Sequence, residues 1–128
     1  MNNALSLLVV LGGSLAIYSC QNTTPEVILQ QRIQRVIQLM EQEEYEKFLI
    51  NFYLPSEVES LKKRHNIKKL AKYFGEGPQR DYLLNYLKSV QHSIPRFNAT
   101  KTEARFVNEK FDETIVWQEV NGKWYLRN

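Results

Sequence analysis

The side chains that could carry out a reaction are few and scattered. The chain has one cysteine, Cys20, and two histidines, His65 and His92; its aspartates are Asp81 and Asp112. A single thiol excludes an intramolecular disulfide and any cysteine-based zinc site. The histidines stand far apart with no carboxylate at ligand spacing, so neither a metal site nor any other cofactor site is read. Both are expected near helix ends, where a partial positive charge suits the terminal carbonyls. Glu103, Glu109 and Glu119 fall on or beside strands. Glu119 would become a base of raised pKa if it were enclosed. The hairpin geometry below puts it instead at the wet end, beside a turn. No Ser-His-Asp order, phosphate loop or dinucleotide fingerprint is present, so the expectation is a protein that is not an enzyme.

One charged constellation stands out. Lys62, Lys63, Arg64, Lys68, Lys69 and Lys72 form a basic cluster with His65 inside it. On a helical wheel Lys68, Lys69 and Lys72 fall opposite Ile67, Leu70, Ala71 and Phe74, as on a solvated face. The functional reading of the same residues is anion binding, to lipid head groups or envelope polymers, at up to about 1 kcal/mol per cation. Stacking aromatics are sparse there, with only Tyr73 and Phe74 nearby, which argues against nucleic acid. The net charge of +3 is a mild excess that calls for no polyanionic partner. Glu41, Glu43, Glu44 and Glu46 read as a solvated helix junction. The composition, 43% hydrophobic and 24% charged, is that of a folded globular chain. Neither internal repeats nor low-complexity segments are found.

Cys20 closes an apolar run from Ala4 to Tyr18, and no charged side chain precedes Glu26. A helical run of about 15 residues spans roughly 22 Å, short of the ~30 Å hydrocarbon core, so a signal-peptide core fits better than a membrane span. Ile17-Tyr18-Ser19-Cys20 resembles the lipobox of bacterial lipoproteins, with an aliphatic residue three before the cysteine and a small one just before it. The resemblance implies cleavage before Cys20, lipid attached to Cys20, and a membrane-anchored protein facing the periplasm or exterior. Gln21 after the cysteine would, in a Gram-negative cell, favour the outer membrane over the inner. The expected organisation is a signal peptide over 1–19, the lipidated Cys20 with a polar tether over 20–25, and one domain over 26–128.

The domain must be built from the patterns that follow. Thr24-Pro25-Glu26 predicts a helix start: a capping hydroxyl, proline in the first turn and an early acid. Leu29, Ile33, Val36, Ile37 and Met40 make one apolar stripe; Tyr45, Phe48, Leu49 and Phe52 make another, rotated from the first. The spacing therefore predicts a break near Glu41 to Glu44 and a second helix to about Tyr53. Pro55 ends that helix. Ser56 is expected to cap a short helix carrying Val58 and Leu61, and Asn66 the next. Gly75-Glu76-Gly77-Pro78 reads as a loop, after which Pro78 opens a helix with Tyr82, Leu83, Tyr86, Leu87 and Val90 on one face.

From Thr100 the period changes to two. Ala104 and Phe106 alternate with Arg105 and Val107. Asn121-Gly122 joins two further alternating runs, a strong hairpin signal because both turn residues need positive φ. A two-residue loop pairs Val120 with Lys123, Glu119 with Trp124 and Trp117 with Leu126. Ile115, Trp117, Trp124 and Leu126 then share the core face, with Trp117 and Trp124 at its centre.

Helices first and a terminal antiparallel sheet make an α+β pattern. Glu44-Tyr45-Glu46-Lys47-Phe48-Leu49, Phe52-Tyr53-Leu54-Pro55 and the closing Val120-Asn121-Gly122-Lys123-Trp124-Tyr125-Leu126 resemble small bacterial domains of the nuclear transport factor 2-like type. That resemblance implies N-terminal helices packed on a C-terminal curved antiparallel sheet, a cystatin-like cone. The readable strands are fewer than a closed cone needs. Such folds host enzymes, binding modules and assembly domains alike. The leading expectation is a non-catalytic, lipid-anchored envelope protein that binds a protein or small molecule. Alternatives are a ligand pocket on the concave sheet face with weak hydrolase or isomerase chemistry, and an electrostatic tether through Lys62 to Lys72.

Overall fold

Thr24 opens the first helix as its type and place predict. In the computed structural model its Oγ1 accepts a hydrogen bond from the Val27 N–H at 3.3 Å, and Pro25 begins α1 (Pro25–Glu41). The structure describes residues 24–108, 110 and 115–127. Cys20 and its leader, Glu109 and Asp112 lie outside the described residues.

The predicted break after α1 is a hydrogen-bonded stop. Glu43 takes φ 60°, its N–H donates to the Met40 carbonyl at 3.0 Å, and the Glu44 N–H donates to the Leu39 carbonyl at 2.8 Å. This is the Schellman pattern, with a glutamate where glycine is usual. It re-aims the chain so that α2 (Tyr45–Phe52) turns Phe48, Leu49 and Phe52 into the same core as Leu29, Ile33, Val36 and Met40 of α1.

Ser56 does not cap the third helix: Pro55 is its first residue, in α3 (Pro55–Arg64), with Leu54 at the cap position and no side-chain cap bond. Proline suits the first helical position because its fixed φ is already helical and its missing N–H would have had no partner there. Tyr53 and Leu54 are extended instead, and the Leu54 N–H donates to the Leu126 carbonyl at 3.0 Å. Asn66 caps α4 (Ile67–Glu76) as expected, its Oδ1 accepting from the N–H groups of Lys68 and Lys69 at 2.9 and 3.2 Å. The loop expected from Gly75 onward shrinks to Gly77, and Pro78 starts α5 (Pro78–Val90).

Gly75 lies within α4, and a side chain there has no room. A Cβ would sit 2.5 Å from Tyr45 Cε2. The ring cannot easily retreat, since its hydroxyl accepts from Arg80 Nε at 3.0 Å and its edge packs on Phe74 with centroids 5.7 Å apart. Gly75→Ala should therefore lower stability by about 1–3 kcal/mol, despite alanine's helix propensity. Thermal unfolding by circular dichroism checks this; an unchanged or raised midpoint would mean the ring yields freely.

The sheet is a four-stranded antiparallel meander in the order β1 (Arg96–Phe97), β2 (Glu103–Arg105), β3 (Val116–Val120), β4 (Lys123–Arg127). The β3–β4 register pairs Trp117 with Leu126, Glu119 with Trp124 and Val120 with Lys123, and Asn121 and Gly122 take φ 52° and 85°. Hairpin and register are those predicted. β1 was not anticipated, and Val116, placed on the outer face by alternation, is also buried. Among the described residues five helices pack on this open sheet, an α+β arrangement. Ala104, Trp117, Trp124 and Leu126 fill the face beneath them.

Arg32 fastens these layers. Its Nε donates to the Trp124 carbonyl at 3.0 Å and its Nη2 to the Asn51 carbonyl at 3.1 Å, while the guanidinium lies 3.9 Å from the Phe52 ring centroid. One side chain of α1 thus grips β4 and the Asn51 carbonyl in the last turn of α2, an end that favours a positive charge.

Candidate functional site

Two helices are only lightly anchored in the core. Val58 is the buried residue of α3 and Ala71 that of α4, while Leu61, Leu70 and Phe74 remain half-buried. The uncovered remainder of their apolar stripes lines a groove of about 420 Å³. Its walls are Leu49 of α2, Tyr53, Leu61 of α3, and Leu70, Tyr73 and Phe74 of α4; Gly77, Pro78 and Gln79 close one end at the start of α5. A neighbouring hollow of about 360 Å³ shares Tyr53, Phe74 and Gln79 and extends the groove along α5 to Tyr82 and Leu83. Tyr73 and Tyr82 stand at the rim, 66% and 41% exposed.

The lining is mainly apolar with a few polar tips. Burial, reinforced by nearby Glu57, pushes the Tyr53 hydroxyl up to about 12. It is neutral at physiological pH and can both donate and accept a hydrogen bond. The groove is suited to holding an apolar body and positioning it by one or two polar contacts.

Lys62, Lys63 and Arg64 form the last turn of α3, and Lys68, Lys69 and Lys72 lie along α4; all are exposed. None of the six makes an ion pair with a described residue. Lys72 lines a hollow with Glu43, Glu76, Arg80 and Asp81, a place of mixed sign. His65 is the exposed C-cap residue of α3, and His92 is exposed just beyond α5. Glu103 is held by Arg127 at 2.9 Å, and Glu119 Oε2 accepts from the Gly122 N–H at 2.5 Å. Glu119 thus braces the hairpin turn. Trp117 and Trp124 are core, 0% and 2% exposed. Among the described residues no group of three or more His, Cys, Asp or Glu is placed to hold a metal ion. No helix among them is long and apolar enough to cross a membrane.

The groove is not legible in the sequence, where Leu61, Leu70 and Phe74 simply continue the apolar stripes of their helices. The available signal was Tyr73, a large aromatic lying off the apolar stripe of its own helix. No protein-family model, curated protein or solved structure matches this chain.

Proposed function

We propose that this is a lipid-anchored cell-envelope protein whose α+β domain binds a partner without catalysis, an apolar part of that partner lying in the groove between α2, α3, α4 and α5. The observation that carries the binding half is the groove itself, with exposed Tyr73 and Tyr82 at its rim. Connected apolar surface left open to water typically marks an interaction site. The anchor half rests on Ile17-Tyr18-Ser19-Cys20 at the end of the apolar run, followed by Gln21-Asn22-Thr23 as a tether to α1. For the fold we propose the nuclear transport factor 2-like plan in an open form; helices that precede an antiparallel meander and cover one of its faces support it.

Indole is a suitable water-soluble apolar probe. Titrated into the full chain held in lipid nanodiscs, it should give saturable amide shifts at Leu61, Leu70, Tyr73 and Phe74. Leu61→Gln with Leu70→Gln should weaken indole by about tenfold, equivalent to roughly 1.4 kcal/mol. Shifts that never saturate, or that survive the double substitution unchanged, would remove the groove as the binding site.

A further inference from the structure

A second hollow, of about 410 Å³, lies where α1, α2 and β4 meet. Arg32 and Arg35 of α1, Lys47 of α2 and Lys123 of β4 are among its lining residues, with Asn51 and Tyr125; no carboxylate is. Like charges brought together repel, so a cluster of cations is costly until an anion joins it. The nearest acids, Glu43, Glu44 and Glu46, line an adjoining hollow that shares Lys47, Ile50 and Asn51 with this one, and none of them lines the hollow itself. Arg35 donates to the neutral Gln38 Oε1 at 2.6 Å, and Lys47 reaches Glu44 at 3.5 Å in an exposed pair of the kind that contributes little. Arg32, Arg35 and Lys123 make no ion pair with a described residue.

Arg32 is the distinctive member. It is fixed by two backbone carbonyls and by the Phe52 and Tyr125 rings, at 3.9 and 5.4 Å from their centroids. Burial lowers its pKa, opposed by the nearby Tyr125; an arginine guanidinium stays charged in proteins. The planar guanidinium has more N–H donors than those two carbonyls use, and its fork matches an oxyanion. It is pre-positioned, whereas Arg35 and Lys123 are exposed. The volume lies within the range of about 300–1,000 Å³ common for small-molecule sites, so more than a bare ion fits.

We infer that this hollow is a binding site for a phosphate-bearing anion, gripped by Arg32 and drawn in by Arg35, Lys47 and Lys123. It is separate from the apolar groove and does not depend on the function proposed for it. Its cations come from residues that are far apart in the chain, and it is distinct from the Lys62 to Lys72 cluster.

Inorganic pyrophosphate tests this on the full chain in nonionic detergent. Amide signals of Arg35, Asn51, Lys123 and Tyr125 should shift saturably, and affinity should fall with added salt. Arg35→Glu with Lys123→Glu should lose at least about tenfold in affinity, while Lys68→Glu with Lys69→Glu should change it little. Both reversed residues of the first pair are exposed, so the fold should survive. If that pair does not fold, Lys123→Gln alone must still weaken pyrophosphate measurably. In a second arm, phosphatidylglycerol replaces pyrophosphate in the micelles. The same residues shifting, with pyrophosphate as competitor, identifies a lipid head group; a response to pyrophosphate alone identifies a soluble phosphate. Either result supports the site. No saturable shift in either arm, or equal loss on reversing Lys68 and Lys69, overturns it.

Discussion

Trp117→Ala should cost about 3–5 kcal/mol, a large share of the roughly 5–15 kcal/mol that holds a typical domain together. Trp117 is fully buried and sits across from Ala104 on β2 and Leu126 on β4, so its ring joins three strands beneath the helices. At roughly 4–8 °C per kcal/mol for a domain of this size, the thermal midpoint should fall by well over 10 °C. Trp117→Phe should cost much less. It keeps an aromatic ring and removes an indole N–H that is buried with no hydrogen-bond partner among the described residues. Thermal or urea unfolding of the two variants beside the parent measures both. If alanine cost under about 1 kcal/mol, the sheet face would not be the core described here.

Cys20→Ala should abolish incorporation of labelled fatty acid. With about two or three acyl chains at ~0.8 kcal/mol per buried CH₂, the parent should stay with membranes through high-salt washing and leave only in detergent; one chain alone would bind marginally. The variant should carry no label and should keep its leader uncut. Cys20 lies outside the described residues, so this prediction stands on the lipobox-like segment alone. Label retained by the variant would place the lipid elsewhere and end the anchor reading.

The local chemistry was legible where it had a single solution. Asn121-Gly122 needs positive φ at both positions, which fixes a two-residue turn and therefore every β3–β4 pair. Thr24 and Asn66 were legible for the same reason: each side chain satisfies helix N–H groups that would otherwise lack partners. The misread places were decided by distant partners. Gly75 looks like a helix stop, but the Tyr45 ring packs where a side chain would go and the helix continues. Ser56 looks like a cap, but Pro55 can begin the helix itself while Leu54 bonds to β4. β1 has only two residues, too few for alternation to register.

Both candidate sites show the same limit. Leu61, Leu70 and Phe74 form proper apolar stripes, and periodicity says that such stripes seek cover without saying whether the fold supplies it. Arg32 and Lys123 sit at opposite ends of the domain's sequence, so only the packing of α1 against β4 makes them neighbours. The Lys62 to Lys72 cluster is legible because it is dense along the chain; in the fold its members are exposed on the last turn of α3 and along α4.

The most direct test of the central claim is the intact mass of the protein purified from the membranes of the cells that make it. A mass corresponding to a chain that begins at Cys20 and carries acyl groups on it is the predicted result. A chain that still begins with Met1 and bears no lipid would contradict the account.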